Sequence, residues 1–192
     1  MIRRVGGQIE GIHVTLDAHH LIHVAHPIYW RDPYGQHPPT FTIITPDDVR
    51  EGRWAPTHEV WLKQTRQDFG VLDYVGALEA NGKYPLCIWP PHCLLGSWGQ
   101  CVFPPLLDVL HEWETQKFAA VNFVSKGSHF HTEHYSAIRA DLPAPHEPCT
   151  HINSSLREAL SCADEILLAG KADSHCLAKT IFHVLKVCTC GR

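Results

Sequence analysis

No apolar run in this chain approaches the ~20 residues that a membrane-spanning helix needs. A basic excess is missing too: Lys and Arg number 16 against 20 Asp and Glu, a formal charge of -4. That leaves no electrostatic footprint for nucleic acid. Internal repeats and low-complexity tracts are absent. The opening "MIRRVGGQIEG" starts basic but lacks the apolar core of a signal peptide, so the expected location is the cytosol.

What is present is ordinary globular composition, with 192 residues, 44% hydrophobic and 19% charged. That length suits one well-cored domain, residues 1–192, rather than two. The eight cysteines are Cys87, Cys93, Cys101, Cys149, Cys162, Cys176, Cys188 and Cys190. They are scattered through apolar stretches instead of forming a framework, which argues against disulfides. The closing "VCTCGR" is a weak metal signal by itself. Histidine is unusually frequent at 16, with His13, His19, His20, His23 and His26 crowded into one stretch and His37 just beyond. Such a concentration points to metal chemistry, with surface histidines as the plainer alternative.

Four apolar, β-branched segments bounded by breakers read as short parallel strands: Ile12–Leu16, Pro85–Trp89, Ala119–Val124 and Glu165–Ala169. Helical spacing fills the intervals. Thr57–Gly82 repeats its apolar residues at three and four and ends at Gly82. "PPLLDVLHEWETQ" opens with prolines and puts Leu106, Leu107, Leu110 and Trp113 on one face. "NSSLREALSCAD" offers Asn153 as an N-cap, and a last helix is expected from about Asp173 to Val187. Strands alternating with helices predict an α/β fold with a parallel sheet covered on both faces. Residues 27–57 are rich in Pro, Asp and Gly and are expected to form a lid or insertion.

In an open parallel sheet, ligands sit beyond the carboxyl ends of the strands. Those ends carry Asp17, His19 and His20; His92 and Cys93; Lys126; and Cys176. "LLAGKADSHCLAKT" ends a strand at Gly170 and opens a helix with Asp173 as its expected N-cap and Cys176 in its first turn. Free backbone N–H groups and the helix dipole favour a thiolate there, and a nearby Lys126 ammonium strengthens that effect. The N–H groups of Ala172 and Cys176 are candidates for an oxyanion hole. The alternative is a buried, inert cysteine. Asp17 and His19 alternate along a strand and so point the same way. With His92 they form a two-histidine, one-carboxylate set that suits Zn²⁺, Fe²⁺ or Mn²⁺, with His23 as a further partner of the site. The alternative is a polar cleft without metal. His13, His26, His37, His111 and His183 are expected on the surface or in satisfied hydrogen bonds.

These residues resemble a family. "LDAHHLIH" is similar to the Asp-Trp-His-Pro-x-x-His motif of nicotinamidases, and "IWPPHCLLGSWG" to their Trp-Pro-x-His-Cys-x-x-Gly-Thr motif. "SKGSHFHTEHYSAI" resembles the lysine segment ending in Tyr-Ser-Ala, and "LLAGKADSHCLAKT" the nucleophile segment. The likeness runs from about residue 10 to 187, with 27–83 as a lid or insertion region, and points to the nicotinamidase branch of the isochorismatase-like cysteine hydrolases. It implies the three-layer α/β/α isochorismatase-like hydrolase fold and hydrolysis of a small-molecule amide through a thioester. It further implies Cys176 as nucleophile, Lys126 as its partner, and Asp17, His19 and His92 as metal ligands that hold the pyridine nitrogen of nicotinamide. A cis peptide is expected at Lys171–Ala172.

The chain departs from the family at several points. Ala18 stands for the usual Trp, Ser97 for Thr, and Lys171 for an apolar residue. The family also carries its catalytic aspartate on a central first strand ahead of the Asp-x-His motif. Ahead of Asp17 only Glu10 is acidic, and no apolar strand ends in Asp. The expectation is therefore a sheet lacking its first strand, in a chain clipped at both ends relative to the family. A sheet without that strand must close the gap or recruit another chain. Two readings of function follow: a metal-assisted nicotinamidase-like amidase, or a truncated, non-catalytic homologue that keeps metal binding and a homo-oligomer interface. Metal binding as such, through the histidine-rich stretch and Cys188/Cys190, is a third.

Overall fold

A computed structural model describes residues 1–62 and 70–188. Helix α1 (Ile2–Val5) leads into strand β1 (His13–Asp17). The next segment holds β2 (Trp30–Arg31), β3 (Ile43–Ile44), α2 (Pro46–Arg50) and β4 (Ala55–Pro56). Then come α3 (Val71–Ala80), β5 (Leu86–Cys87), α4 (Pro104–Lys117), β6 (Asn122–Lys126), α5 (Ser154–Ser161) and α6 (Cys176–Cys188).

The fold is mixed α/β with a parallel sheet. β1 and β6 pair in parallel from His13↔Asn122 to Asp17↔Lys126. Side chains alternate across a strand, so Val14 and Val124 serve opposite faces. Val14 packs in a cluster with Leu110 and Trp113 of α4. Val124 packs in another with Leu156 of α5 and Val184 of α6. Helices thus flank both faces of the β1–β6 pair. Among the described residues no strand precedes β1. The gap expected there is closed, because β1 lies directly beside β6.

Helix expectations hold with shifted ends. Asn153 caps α5, its Oδ1 accepting from the Leu156 N–H at 3.0 Å. On α4 Leu110 and Trp113 are buried, whereas Leu106 is exposed. The long helix expected over Thr57–Gly82 is a 3₁₀ turn at Glu59–Leu62 followed by α3; residues 63–69 lie outside the described part. The last helix starts at Cys176 rather than Asp173.

Two strand expectations require correction. Residues 85–89 do not join the parallel sheet. β5 pairs antiparallel with β3, in register Ile43↔Cys87 and Ile44↔Leu86. Leu86 and Ile88 are buried with Ile44, Tyr74 and Leu78, so packing against α3 and the 27–57 segment selects that partner. Glu165–Ala169 is not a strand, and among the described residues its backbone joins no sheet. A strand needs a neighbour to satisfy its N–H and C=O groups, and this segment has none.

Candidate active and metal site

The carboxyl ends of β1 and β6, the loop after β5 and the start of α6 meet at one cavity of about 160 Å³. Asp17, His19, Trp89, His92, Lys126, Glu133, Tyr135, Ala172, His175 and Cys176 line it.

Backbone ties at the strand ends assemble the histidines. The Ala18 N–H donates to Lys126 O at 2.9 Å, the His19 N–H to Cys93 O at 3.0 Å, and the Leu95 N–H to His19 O at 2.9 Å. His19 is thereby strapped between β6 and the His92 loop. Its Nδ1 lies 2.9 Å from Gly127 O. A carbonyl only accepts, so Nδ1 carries the proton and Nε2 keeps its lone pair. His92 follows the same logic, with Nδ1 2.9 Å from Pro90 O. Two imidazoles with free Nε2 lone pairs and a carboxylate form a donor set fit for a divalent ion. The ligand atoms of Asp17, His19 and His92 lie within 4.8 Å of one another. Burial lowers the His19 pKa to about 4 despite Asp17 nearby, which keeps the ring neutral at pH 7.

Gly127 explains the Lys-Gly step at the end of β6. Its φ is +81°, and a Cβ there would come within 2.6 Å of the His19 ring. Only glycine allows both that backbone and that approach.

The lysine is buried and fully engaged. Its Nζ donates to Asp17 Oδ1, to His134 O at 2.8 Å, and to Cys176 Sγ at 3.7 Å. Burial works against the ammonium, but Asp17 and Cys176 outweigh it and raise its pKa. Burial likewise pushes the Asp17 carboxyl up, and the Lys126 charge and hydrogen bond overcome that and hold it below its ordinary value.

Cys176 is the first residue of α6, as its helix-start reading requires. The expected cis peptide at Lys171–Ala172 is present. The expected bias toward thiolate is not. Burial raises the thiol pKa, and Lys126 and the backbone of Ala172 pull it back only in part, because Asp17 and Glu133 add negative charge.

Glu133, Trp89, Tyr135 and His175 were not singled out from the sequence. Trp89 stands in a motif quoted for His92, and Glu133 and Tyr135 in the one quoted for Lys126, which was the available signal. Glu133 accepts the His134 N–H at 2.8 Å, and burial lifts its carboxyl to about 7. Trp89 Nε1 donates to the Tyr135 hydroxyl at 3.1 Å, and the His175 ring lies 5.3 Å from Trp89 and 5.1 Å from Tyr135.

His23 is buried beside the site, its ring 4.5 Å from that of His19, with Nδ1 accepting from the Ala25 N–H at 3.2 Å. His26 and His183 differ from expectation. Both are buried with one ring nitrogen lacking a hydrogen-bond partner, because the surrounding side chains exclude water from rings that look solvent-ready in sequence. The six cysteines from Cys87 to Cys176 carry free thiols. The Cys188/Cys190 pair is not described, since residues 189–192 and the Cys188 side chain lie outside the described part.

No protein-family model and no curated protein matches the chain in sequence. Solved structures do match in fold. The yeast nicotinamidase superposes with a TM-score of 0.58 at 19% identity, over 97% of this chain and 66% of that one. An Acinetobacter baumanii nicotinamidase/pyrazinamidase gives 0.57 at 20% identity, over 97% and 64%. The yeast enzyme bound to the inhibitor nicotinaldehyde gives 0.57 at 17% identity, over 97% and 69%. The chain therefore has the nicotinamidase fold and spans about two thirds of the length of the nicotinamidases it resembles.

Proposed function

We propose that the chain is a nicotinamidase-like member of the isochorismatase-like cysteine hydrolases, opening the carboxamide of nicotinamide or a close heteroaromatic amide. The observation that carries this reading is one cavity in which Cys176, Lys126 and Ala172 face Asp17, His19 and His92. The volume is below the ~300–1,000 Å³ of drug-sized pockets, which favours a small ligand. Trp89, Tyr135 and His175 give it aromatic walls suited to a planar ring.

In this reading the Cys176 sulfur adds to the amide carbon and its thiol proton passes to the leaving nitrogen, while the Lys126 ammonium, which donates to Sγ, stabilises the negative charge that develops on sulfur. The N–H groups of Ala172 and Cys176 stabilise the oxyanion. The C–N bond breaks, ammonia leaves, and water hydrolyses the thioester to the carboxylate and restores the thiol. Asp17, His19 and His92 would hold a divalent ion, Zn²⁺ or alternatively Fe²⁺ or Mn²⁺, which when bound supplies a Lewis acid for the ring nitrogen of the substrate. His23 supports the ring of His19 from behind. The cytosol is the proposed location; no helix among the described residues is long and apolar enough to cross a membrane.

Two observations favour a second reading, a non-catalytic homologue that binds metal and assembles as a homo-oligomer. The Lys126 charge is directed to Asp17, and the thiol of Cys176 is raised rather than lowered. Ammonia release from nicotinamide, measured on Zn²⁺- or Fe²⁺-loaded protein beside Cys176→Ala, separates the two. Turnover that disappears in the variant supports the amidase. A folded, metal-loaded protein that releases no ammonia overturns it in favour of the second reading.

A further inference from the structure

The family resemblance leads to the expectation of two different aspartates, one catalytic and one for the metal. Here β1 lies directly against β6, and its register sets Asp17 opposite Lys126. The carboxylate belonging to the metal set is thereby delivered to the lysine. The Lys126 ammonium has three protons, and Asp17 Oδ1, His134 O and Cys176 Sγ account for all of them. The same Oδ1 lies 4.0 Å from His19 Nε2. His19 and His92 both keep their Nε2 lone pairs, because each Nδ1 proton is tied to a carbonyl.

We propose that Asp17 is a shared carboxylate, standing in for the family's upstream aspartate by holding Lys126 and also joining His19 and His92 around a divalent cation. Asp17 is then a positioning residue for Lys126 as well as a ligand. Two cations draw on one carboxylate, so each weakens the hold of the other. Lys126 restrains metal affinity. In the metal-free protein Asp17 absorbs ammonium charge that otherwise falls on the Cys176 sulfur. The inference rests on the metal assignment above and is independent of which amide, if any, is cleaved.

The test uses no amide substrate. Chelator-treated protein is titrated with Zn²⁺ against a chromophoric competitor, wild type beside Lys126→Met. The variant is expected to bind about tenfold tighter, within ordinary coupling between two sites. Equal or weaker binding overturns the sharing, and a wild type that takes up no Zn²⁺ overturns both the sharing and the metal assignment. Iodoacetamide labelling of Cys176 in metal-free protein at about pH 7.5, read by peptide mass spectrometry, supplies a second measurement. Asp17→Asn is expected to label about threefold faster, since no carboxylate then offsets the ammonium charge beside sulfur, and Lys126→Met more slowly. Two variants that move in the same direction, as general unfolding would make them, overturn the proposal.

Discussion

Around Trp30 the chain hides its apolar residues completely. Val24, Tyr29, Trp30, Ile44 and Ile88 are all 0% exposed. Along α6 and the segment before it, residues of the same character face outward: Leu185 is 59% exposed, Leu167 57% and Phe182 47%. The difference does not lie in hydrophobicity. The first region brings α3, β3 and β5 together over one cluster, whereas the second has a two-stranded sheet and a segment that joins no sheet among the described residues. Burial follows from the presence of a neighbouring element, not from the residue alone. The candidate site lies at the seam: Trp89 and His92 come from the closely packed side, and Lys126 and Cys176 from the sparser one.

The largest effect expected from breaking this contrast is at Trp30. Its ring is fully buried, and Nε1 donates to Val24 O at 2.6 Å. Trp30→Ala removes that hydrogen bond and leaves a cavity, at a cost of about 3–5 kcal/mol. Urea unfolding is expected to show a loss of this size. A loss below about 1 kcal/mol would mean that the cluster is not the stable part of the molecule.

Glu133 provides the next test, from the seam itself. Its carboxyl titrates ordinarily at 4.5 and is pushed up to about 7, first by burial, with Lys126 opposing and Asp17 and Asp141 adding to it. The folded chain then holds a proton that the unfolded chain has released. The resulting stability is complete below about pH 4.5 and is lost as pH rises through about 7, amounting to about 3 kcal/mol. Buried histidines such as His19 and His134 act in the opposite sense across the acid part of this window, because their folded forms resist protonation. The difference between wild type and Glu133→Gln isolates the carboxyl. That difference is expected to fall steadily between about pH 4.5 and 7. A flat difference would place Glu133 in contact with solvent.

Gly127→Ala acts on the geometry of the site rather than on either core. The new Cβ meets the His19 ring, which must swing away from Gly127 O. Zn²⁺ affinity is expected to fall about 10–100-fold, the usual scale when the group that orients a ligand is disturbed. Unchanged affinity would show that His19 is not held by this carbonyl when metal binds.

The residues that line the site were legible in sequence because their side chains are chemically distinctive. Asp17 and His19 stand two apart on β1, His92 follows two prolines, Lys126 precedes a glycine, and Cys176 opens a helix. Each is informative without knowledge of its neighbours, and the structure lines one cavity with all five. Pairing was not legible in the same way. Leu86–Cys87 and Glu165–Ala169 look alike as short apolar runs, yet one pairs antiparallel with β3 and the other, among the described residues, joins no sheet. Strand pairing depends on which edge lies alongside, and that is a property of the whole fold. Glu133 was missed for a related reason. An acid between Thr132 and His134 reads as a surface residue until the Tyr74 hydroxyl is seen against its backbone and the cavity beside it. The raised thiol of Cys176 was also hidden, because its first cause is burial, with the charges of Asp17 and Glu133 adding to it, and neither can be read along the chain.

The smallest expected effect tests the sparser half directly. Leu167 sits in a segment whose backbone joins no sheet among the described residues, and most of its side chain faces outward. Leu167→Ser removes little buried area, so the isolated chain is expected to change in stability by no more than about 0.5 kcal/mol. The same urea titration used for Trp30→Ala measures both. Were Leu167→Ser to cost about 2 kcal/mol or more, its side chain would have to be covered in solution. The asymmetry between the two halves would then vanish, and the segment would rank with the Trp30 cluster as part of the core.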